Sequence, residues 1–211
     1  MSKVAVIGAG IIGVCTAHFL RKNGHKVILF DMHEPGTQAS FGSAGLFAHH
    51  ECVTANSPQL WKDLPSMLLN KEGPLVIDWL YVFMHLPWAI RFLRNCTSAR
   101  VEHIAKSLSA FSYHARFAYE EIFNDVDVSN SIVHKEPIFL YESKELFEKN
   151  KYAFNLRKKY NVHFDIINKE DIARMEPHLE KIYYKGIILK GERFTRSPLQ
   201  ITQKIFDNFI K

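Results

Sequence analysis

Cysteine is scarce in this sequence and falls into no productive pattern. Cys15, Cys52 and Cys96 are an odd number in 211 residues, with no C-x-x-C pair. That count argues against a disulfide framework and a zinc site, and for a reducing compartment. The chain also lacks an unbroken apolar run of membrane-spanning length. Its most apolar stretch, residues 75–93, is interrupted by Asp78, His85, Pro87 and Arg91. The opening MSKVAVIGAG makes a poor secretory signal, with one lysine and a short apolar run before the glycines begin. No G-x-S-x-G turn and no nucleic-acid motif occur, so nucleic acid is not an expected partner. The 27 basic residues against 22 acidic ones leave a net charge of +5 spread along the chain. Such a charge suits phosphates or an anionic membrane surface without specifying either. These absences leave a cytosolic globular protein of ordinary composition, 47% hydrophobic and 23% charged.

What is present begins at once. KVAVIGAG reads as a buried strand running into a glycine turn, and IIGVCTAHFLRKNG as a helix stopped by Gly24. HKVILFD is a second apolar strand ending on Asp31. Gly8, Gly10 and Gly13 have the spacing G-x-G-x-x-G inside a βαβ unit of the expected size. Gly8 suits the tight turn, Gly10 admits a pyrophosphate close to the backbone, and Gly13 lets helix and strand pack closely. The phosphates then meet unpaired N–H groups at the positive end of the helix. Val6, Ile7, Ala9, Ile11 and Ile12 complete this candidate binding segment. Asp31 is placed to accept hydrogen bonds from both hydroxyls of an adenosine ribose, and its charge would repel the 2′-phosphate of NADP. Residues 32–47, rich in Gly, Ala and Ser, bring backbone close to a flat ligand or form a plain surface loop.

The glycine fingerprint followed by ASFGSAG (residues 39–45) resembles the FAD-dependent amine and amino-acid oxidoreductases of the D-amino-acid oxidase superfamily. Within it the chain is similar to the bacterial D-amino-acid dehydrogenase small subunits. RFLRNCTSARVEHIAKSLSAFS (91–112), EPIFLYES, EDIARMEPHL and KGIILKGERFTRSPLQITQKIF follow in the family's order, over its N-terminal half only. The resemblance implies FAD held through Gly8, Gly10, Gly13 and Asp31, with Ser40 near the phosphates and the Ala44–Gly45 backbone near the flavin. It implies a small D-amino acid as substrate, oxidised to a 2-oxo acid and ammonia. It further implies an electron acceptor or a separate C-terminal half as partner, and allows peripheral membrane contact. Glycine- or sarcosine-oxidase-like chemistry and an inactive FAD-binding module are the competing readings. Catalytic residues are not assigned.

The expected fold is α/β: a Rossmann-type FAD-binding βαβ unit carrying an inserted α+β substrate domain, with an incomplete parallel sheet. Residues 1–50 open the FAD domain, 51–190 form the insertion, and 191–211 return to the FAD domain. Ser57 and Pro58 signal a helix start. Residues 75–93 read first as helices packed on a core, while Trp79, Tyr81, Phe83 and Trp88 keep an interface reading open. Residues 97–123 predict a long helix, 143–160 an amphipathic one, and 162–167 a strand. The His-His-Glu-Cys run at 49–52 lacks a second ligand pair at zinc-like spacing, so no metal is expected. The closing helix from Ser197 carries an apolar stripe, Leu199, Thr202, Ile205, Phe206 and Phe209, with no following strand to cover it.

Overall fold

The computed structural model describes residues 1–48, 51–69 and 78–211. His49 and His50 of the His-His-Glu-Cys run, and residues 75–77 of the apolar stretch, lie outside the described residues. The elements run β1 (Lys3–Ile7), α1 (Ile11–Lys22), β2 (Lys26–Phe30), β3 (Leu46–Phe47), α2 (Leu60–Leu69), α3 (Trp79–Met84), α4 (Leu86–Arg94) and α5 (Ser98–Asp125). They continue β4 (Ile132–Val133), β5 (Ile138–Tyr141), α6 (Lys144–Lys149), α7 (Lys151–Lys159), β6 (Phe164–Asn168), α8 (Lys169–Met175), β7 (Lys185–Leu189), β8 (Arg193–Thr195) and α9 (Pro198–Ile210). The fold is α/β.

Two compact units result. One gathers Met1–His50, Tyr113–Phe147 and His163–Lys211; the other gathers Glu51–Ser112 and Glu148–Val162. The larger unit contains three small sheets. β1 and β2 pair in parallel, Lys3 opposite Lys26 through Ile7 opposite Phe30, as a βαβ crossover requires. β8 lies between β3 and β4, antiparallel to both, and β7 lies likewise between β5 and β6.

The main core of this unit collects Ala9, Val14, Ile122, Val126, Val128, Ile201 and Ile205. α9 therefore lays its stripe on α1 and the end of α5, and Ile205 is 1% exposed. The expectation of an uncovered face on this helix fails, because α1 and the end of α5 cover it. Ser197 caps α9 as expected, its hydroxyl accepting from Gln200 N at 3.2 Å. The β1–β2 sheet fares differently. Val4, Val6, Val27 and Leu29 are half-buried, while Ile7, Ile28 and Phe30 stay exposed on the alternate face. Parallel sheets are ordinarily covered on both faces.

In the smaller unit, α5 and α7 meet through Val101, Ala105 and Leu156, flanked by Tyr152 and Tyr160. Two expectations need correcting. The single helix expected over 143–160 is split at Asn150 into α6 and α7. The stretch after Asp78 forms α3 and α4, which meet at His85, and no residue of either is fully buried. The core-packed reading of those helices is overturned by their exposure. α2 begins at Leu60, two residues later than Ser57–Pro58 suggests, and carries Pro65 inside it. α5 spans the long helix expected over 97–123.

Candidate cofactor site

The glycine turn is held by backbone hydrogen bonds and by close packing. Gly8 donates its N–H to Phe30 O at 2.7 Å, pinning the end of β1 to the end of β2. Gly10 stands at the N-cap of α1 without a side-chain cap, and its carbonyl accepts from Val14 N at 3.0 Å. A Cβ on Gly13 would lie 1.7 Å from the Gly8 carbonyl oxygen, so no other residue fits there without moving the turn. Ala9, between them, is 2% exposed and anchors the turn in the core. Val6 is half-buried, whereas Ile7 and Ile12 stand exposed beside it.

Asp31 is where the βαβ pattern puts it, one residue past β2. Its Oδ2 accepts from Ala9 N at 2.6 Å and its Oδ1 from His33 N at 2.8 Å. These N–H groups, Ala9 first and His33 next, hold the carboxyl below the usual aspartate range. Sequence reasoning assigned Asp31 to a ribose and missed that it also clasps the turn. A carboxylate oxygen has two lone pairs, so both oxygens keep capacity for ribose hydroxyls.

Ser40 is brought in from 29 residues away, and its Oγ accepts from Ile11 N at 2.9 Å. A Cβ on Gly10 would come 3.1 Å from that oxygen. Ser40 thus stands beside the helix N-terminus where a pyrophosphate would be received. The loop carrying it is tied down by Gly36 N donating to Ala9 O at 3.0 Å. Gly45 takes φ +71°, and a Cβ there would lie 2.3 Å from Thr195 O. Thr195 N donates back to Gly45 O at 2.8 Å. Ala44, its neighbour, is exposed.

A cavity of about 190 Å³ extends from Ile11 and Ser40 past Ser43 and Gly45 to the rings of Phe47 and Tyr119. Cys15, Phe123, Thr195 and Ile201 are also in its wall. Burial pushes the Cys15 thiol up to about 11, which keeps it a neutral wall group and not a nucleophile. Phe47, Tyr119 and Thr195 were not legible as site residues. Their common signal is tertiary: β3 pairs with β8, and Phe47 packs edge-on to Tyr119 with ring centroids 5.3 Å apart. Among the described residues no three His, Cys, Asp or Glu side chains come together to hold a metal ion.

A parallel βαβ unit with a glycine turn too tight for any Cβ at Gly13, and an acid closing the second strand, defines a Rossmann-type dinucleotide-binding protein. The residues present fit the ADP moiety of FAD. The profile of the DAO family, described as FAD dependent oxidoreductase, matches residues 3–211. The chain belongs to that family, whose cofactor is FAD. It is 33% identical over 198 residues to a D-amino-acid oxidase of Bradyrhizobium diazoefficiens, covering 92% of this chain and 47% of that protein. It is 25% identical over 181 residues to a D-amino acid dehydrogenase of Rhodopseudomonas palustris, covering 85% of this chain and 43% of the other. In fold it is similar to the glycine oxidase of Geobacillus kaustophilus, with a TM-score of 0.60 at 17% identity over 100% of this chain and 45% of that one. The chain spans under half the length of the curated relatives it matches.

Proposed function

We propose that this chain is the FAD-binding portion of an oxidoreductase that converts small D-amino acids to 2-oxo acids and ammonia. The observation that carries the reading is the glycine turn clasped by Asp31 and neighboured by Ser40, in a chain of this family related to proteins named for D-amino acids. When bound, FAD supplies the two-electron acceptor for the Cα–H of the amino acid. The residues Val6, Ile7, Gly8, Ala9, Gly10, Ile11, Ile12 and Gly13 present backbone to the pyrophosphate. Ser40 donates its hydroxyl to a phosphate oxygen, and Asp31 accepts from the ribose. Ala44 and Gly45 supply backbone beside the flavin, where the Phe47 and Tyr119 rings keep water out. The oxidised amino acid is an imine; water adds to it and ammonia leaves. Residues 51–190 are assigned to the substrate side.

The span of under half the relatives favours a second reading, in which the 211 residues bind FAD without turning over substrate unaided. One experiment addresses both. FAD binding is followed by flavin fluorescence and calorimetry, and D-alanine-dependent dye reduction is measured with and without the remaining half of the Bradyrhizobium relative supplied in trans. Binding by the chain, with turnover appearing only on complementation, is the expected result. Gly10→Ala should leave the fold intact, since the Ser40 hydroxyl can yield a few tenths of an ångström, yet abolish FAD binding. Asp31→Ala should weaken FAD by about tenfold or more, through lost charge-assisted hydrogen bonds. Undiminished affinity in a folded Gly10→Ala protein would refute the assignment of the turn, and tight NADP binding would refute that of Asp31.

A further inference from the structure

Arg91 and Arg94 in the last turn of α4, Asn95 after it, and Arg100 in α5 line one open groove of about 450 Å³ in the smaller unit. That volume is in the range of small-ligand sites. All three arginines are exposed, and among the described residues none of them is ion-paired. No acid occurs in the sequence between Asp78 and Glu102, and both of these are engaged elsewhere. Asp78 caps α3, its Oδ1 accepting from Tyr81 N at 3.1 Å, and Glu102 pairs with Lys159. Arg91 and Arg94 have a ready structural reason, since cations suit the negative C-terminal end of their helix. Arg100 has none. It stands in the first turn of a 28-residue helix, at the positive end, where acids are favoured and cations opposed. No acid occupies that turn to offset it. An arginine at the wrong end of its helix, sharing a groove with two more unpaired arginines, concentrates positive charge in a way that folding alone disfavours. A bound anion turns each of these repulsions into an attraction.

We infer that this groove binds a compact soluble polyphosphate, with the size and charge of inorganic triphosphate or of the phosphate tail of a nucleotide. Guanidinium forks match phosphate oxygens two at a time, and three of them in one groove suit a single ligand that carries several charges. The Asn95 amide already donates to Arg91 O at 2.8 Å, so the arginines are the recognising groups. An acidic peptide fits less well, because the lining is wholly polar and offers no apolar pocket for an anchoring side chain. A lipid headgroup with one phosphate brings one charge to three guanidiniums. The proposal is independent of the oxidoreductase reading, because none of the four lining residues belongs to the glycine turn or its cavity.

Calorimetry on the 211-residue protein compares phosphate, pyrophosphate and tripolyphosphate, and thermal melts read the same ligands through stability. Binding should tighten with each added phosphate, with tripolyphosphate held at least about tenfold more tightly than phosphate and released by salt. Arg91→Gln with Arg94→Gln should weaken tripolyphosphate by about tenfold or more, and Arg100→Gln alone by about fivefold or more. Circular dichroism checks that both proteins fold. Arg100→Gln carries a further signature that a structural role would not produce. It should raise the melting temperature of the free protein by about 1–3 °C, while losing the rise that tripolyphosphate gives the unsubstituted chain. Gly10→Ala should keep its tripolyphosphate binding, which separates this groove from the glycine turn. Equal affinity for phosphate and tripolyphosphate, no binding at all, indifference to the arginine substitutions, or loss of binding in Gly10→Ala would overturn the proposal. So would a lower melting temperature for free Arg100→Gln, or phosphatidylglycerol vesicles or polyglutamate that hold the protein against excess tripolyphosphate.

Discussion

α9 and the α3–α4 pair both carry many large apolar side chains, and they meet opposite fates. α9 buries Ile201, Thr202 and Ile205 completely. No residue of α3 or α4 is fully buried, although Val82, Ala89, Phe92 and Leu93 are half-buried. The difference lies in whether a partner meets the apolar face, since α4 is at least as one-sided as α9 and still stays exposed. On α9 the apolar residues form one stripe, and the polar residue within it is satisfied, Thr202 Oγ1 donating to Pro198 O at 2.9 Å. On α3, WLYVFM is apolar all round, and a six-residue helix cannot face all its side chains to one core. Burial follows from having a single face with a matching partner, not from the amount of apolar surface.

The comparison can be broken most severely at the turn on which α1, and through it α9, depends. Gly13→Val places atoms on the Gly8 carbonyl and should cost more than about 4 kcal/mol, seen as loss of the cooperative thermal transition. A folded Gly13→Val protein would show that α9 is held without the glycine turn. Next in size, Ile205→Ala empties a site 1% exposed between α1, α5 and α9. It should lower the unfolding free energy in urea by about 2–5 kcal/mol.

A smaller effect is expected where α1 meets α5. His18 Nε2 and Asp125 Oδ2 are 3.0 Å apart, and Lys22 Nζ is 2.5 Å from the same oxygen. Lys22, then His18, hold the Asp125 carboxyl below its usual range. A depressed folded-state value means the unfolded chain binds the proton more readily. The stabilisation is therefore present above the unfolded aspartate value, about 4, and is lost as pH falls through the folded one. Asp31, lowered by Ala9 and His33 N–H groups, adds in the same sense. Asp125→Asn should cost about 1–2 kcal/mol at neutral pH, mostly from leaving the buried His18 ring poorly partnered. The acid limb of its stability curve should be shallower than that of the unsubstituted protein.

The sequence was most legible where geometry is local. Gly8, Gly10, Gly13 and Asp31 are fixed by positions within one βαβ unit, and strand, turn, helix and strand fall where the pattern put them. Ser40 was readable only through family resemblance, since nothing local shows that residue 40 reaches Ile11 N. Phe47, Tyr119 and Thr195 were not readable at all. Phe47 and Thr195 are brought together by β3–β8 pairing between residues about 150 apart, and Tyr119 reaches Phe47 from α5, neither of which periodicity encodes. The covering of α9 was missed for the same reason: a stripe shows that a partner is needed, and the sequence offered only the missing strand as candidate. The break at Asn150 shows the converse failure, where an amphipathic pattern continued across a residue at which the helix does not.

The smallest effect is the sharpest check on the comparison. Phe83 is as large and apolar as anything in the core, but it is 69% exposed, so its removal takes few contacts from the folded state. The unfolded chain exposes it too, and only the difference between the two states enters stability. Phe83→Ser should therefore shift the unfolding free energy by no more than about 0.5 kcal/mol. Solubility should rise, because one of the large apolar groups leaves an exposed patch. The same urea titration that reads Ile205→Ala measures it, so both numbers share one baseline. A loss of several kcal/mol at Phe83 would mean that α3 buries its ring against a core, and that α3 and α9 are helices of one kind.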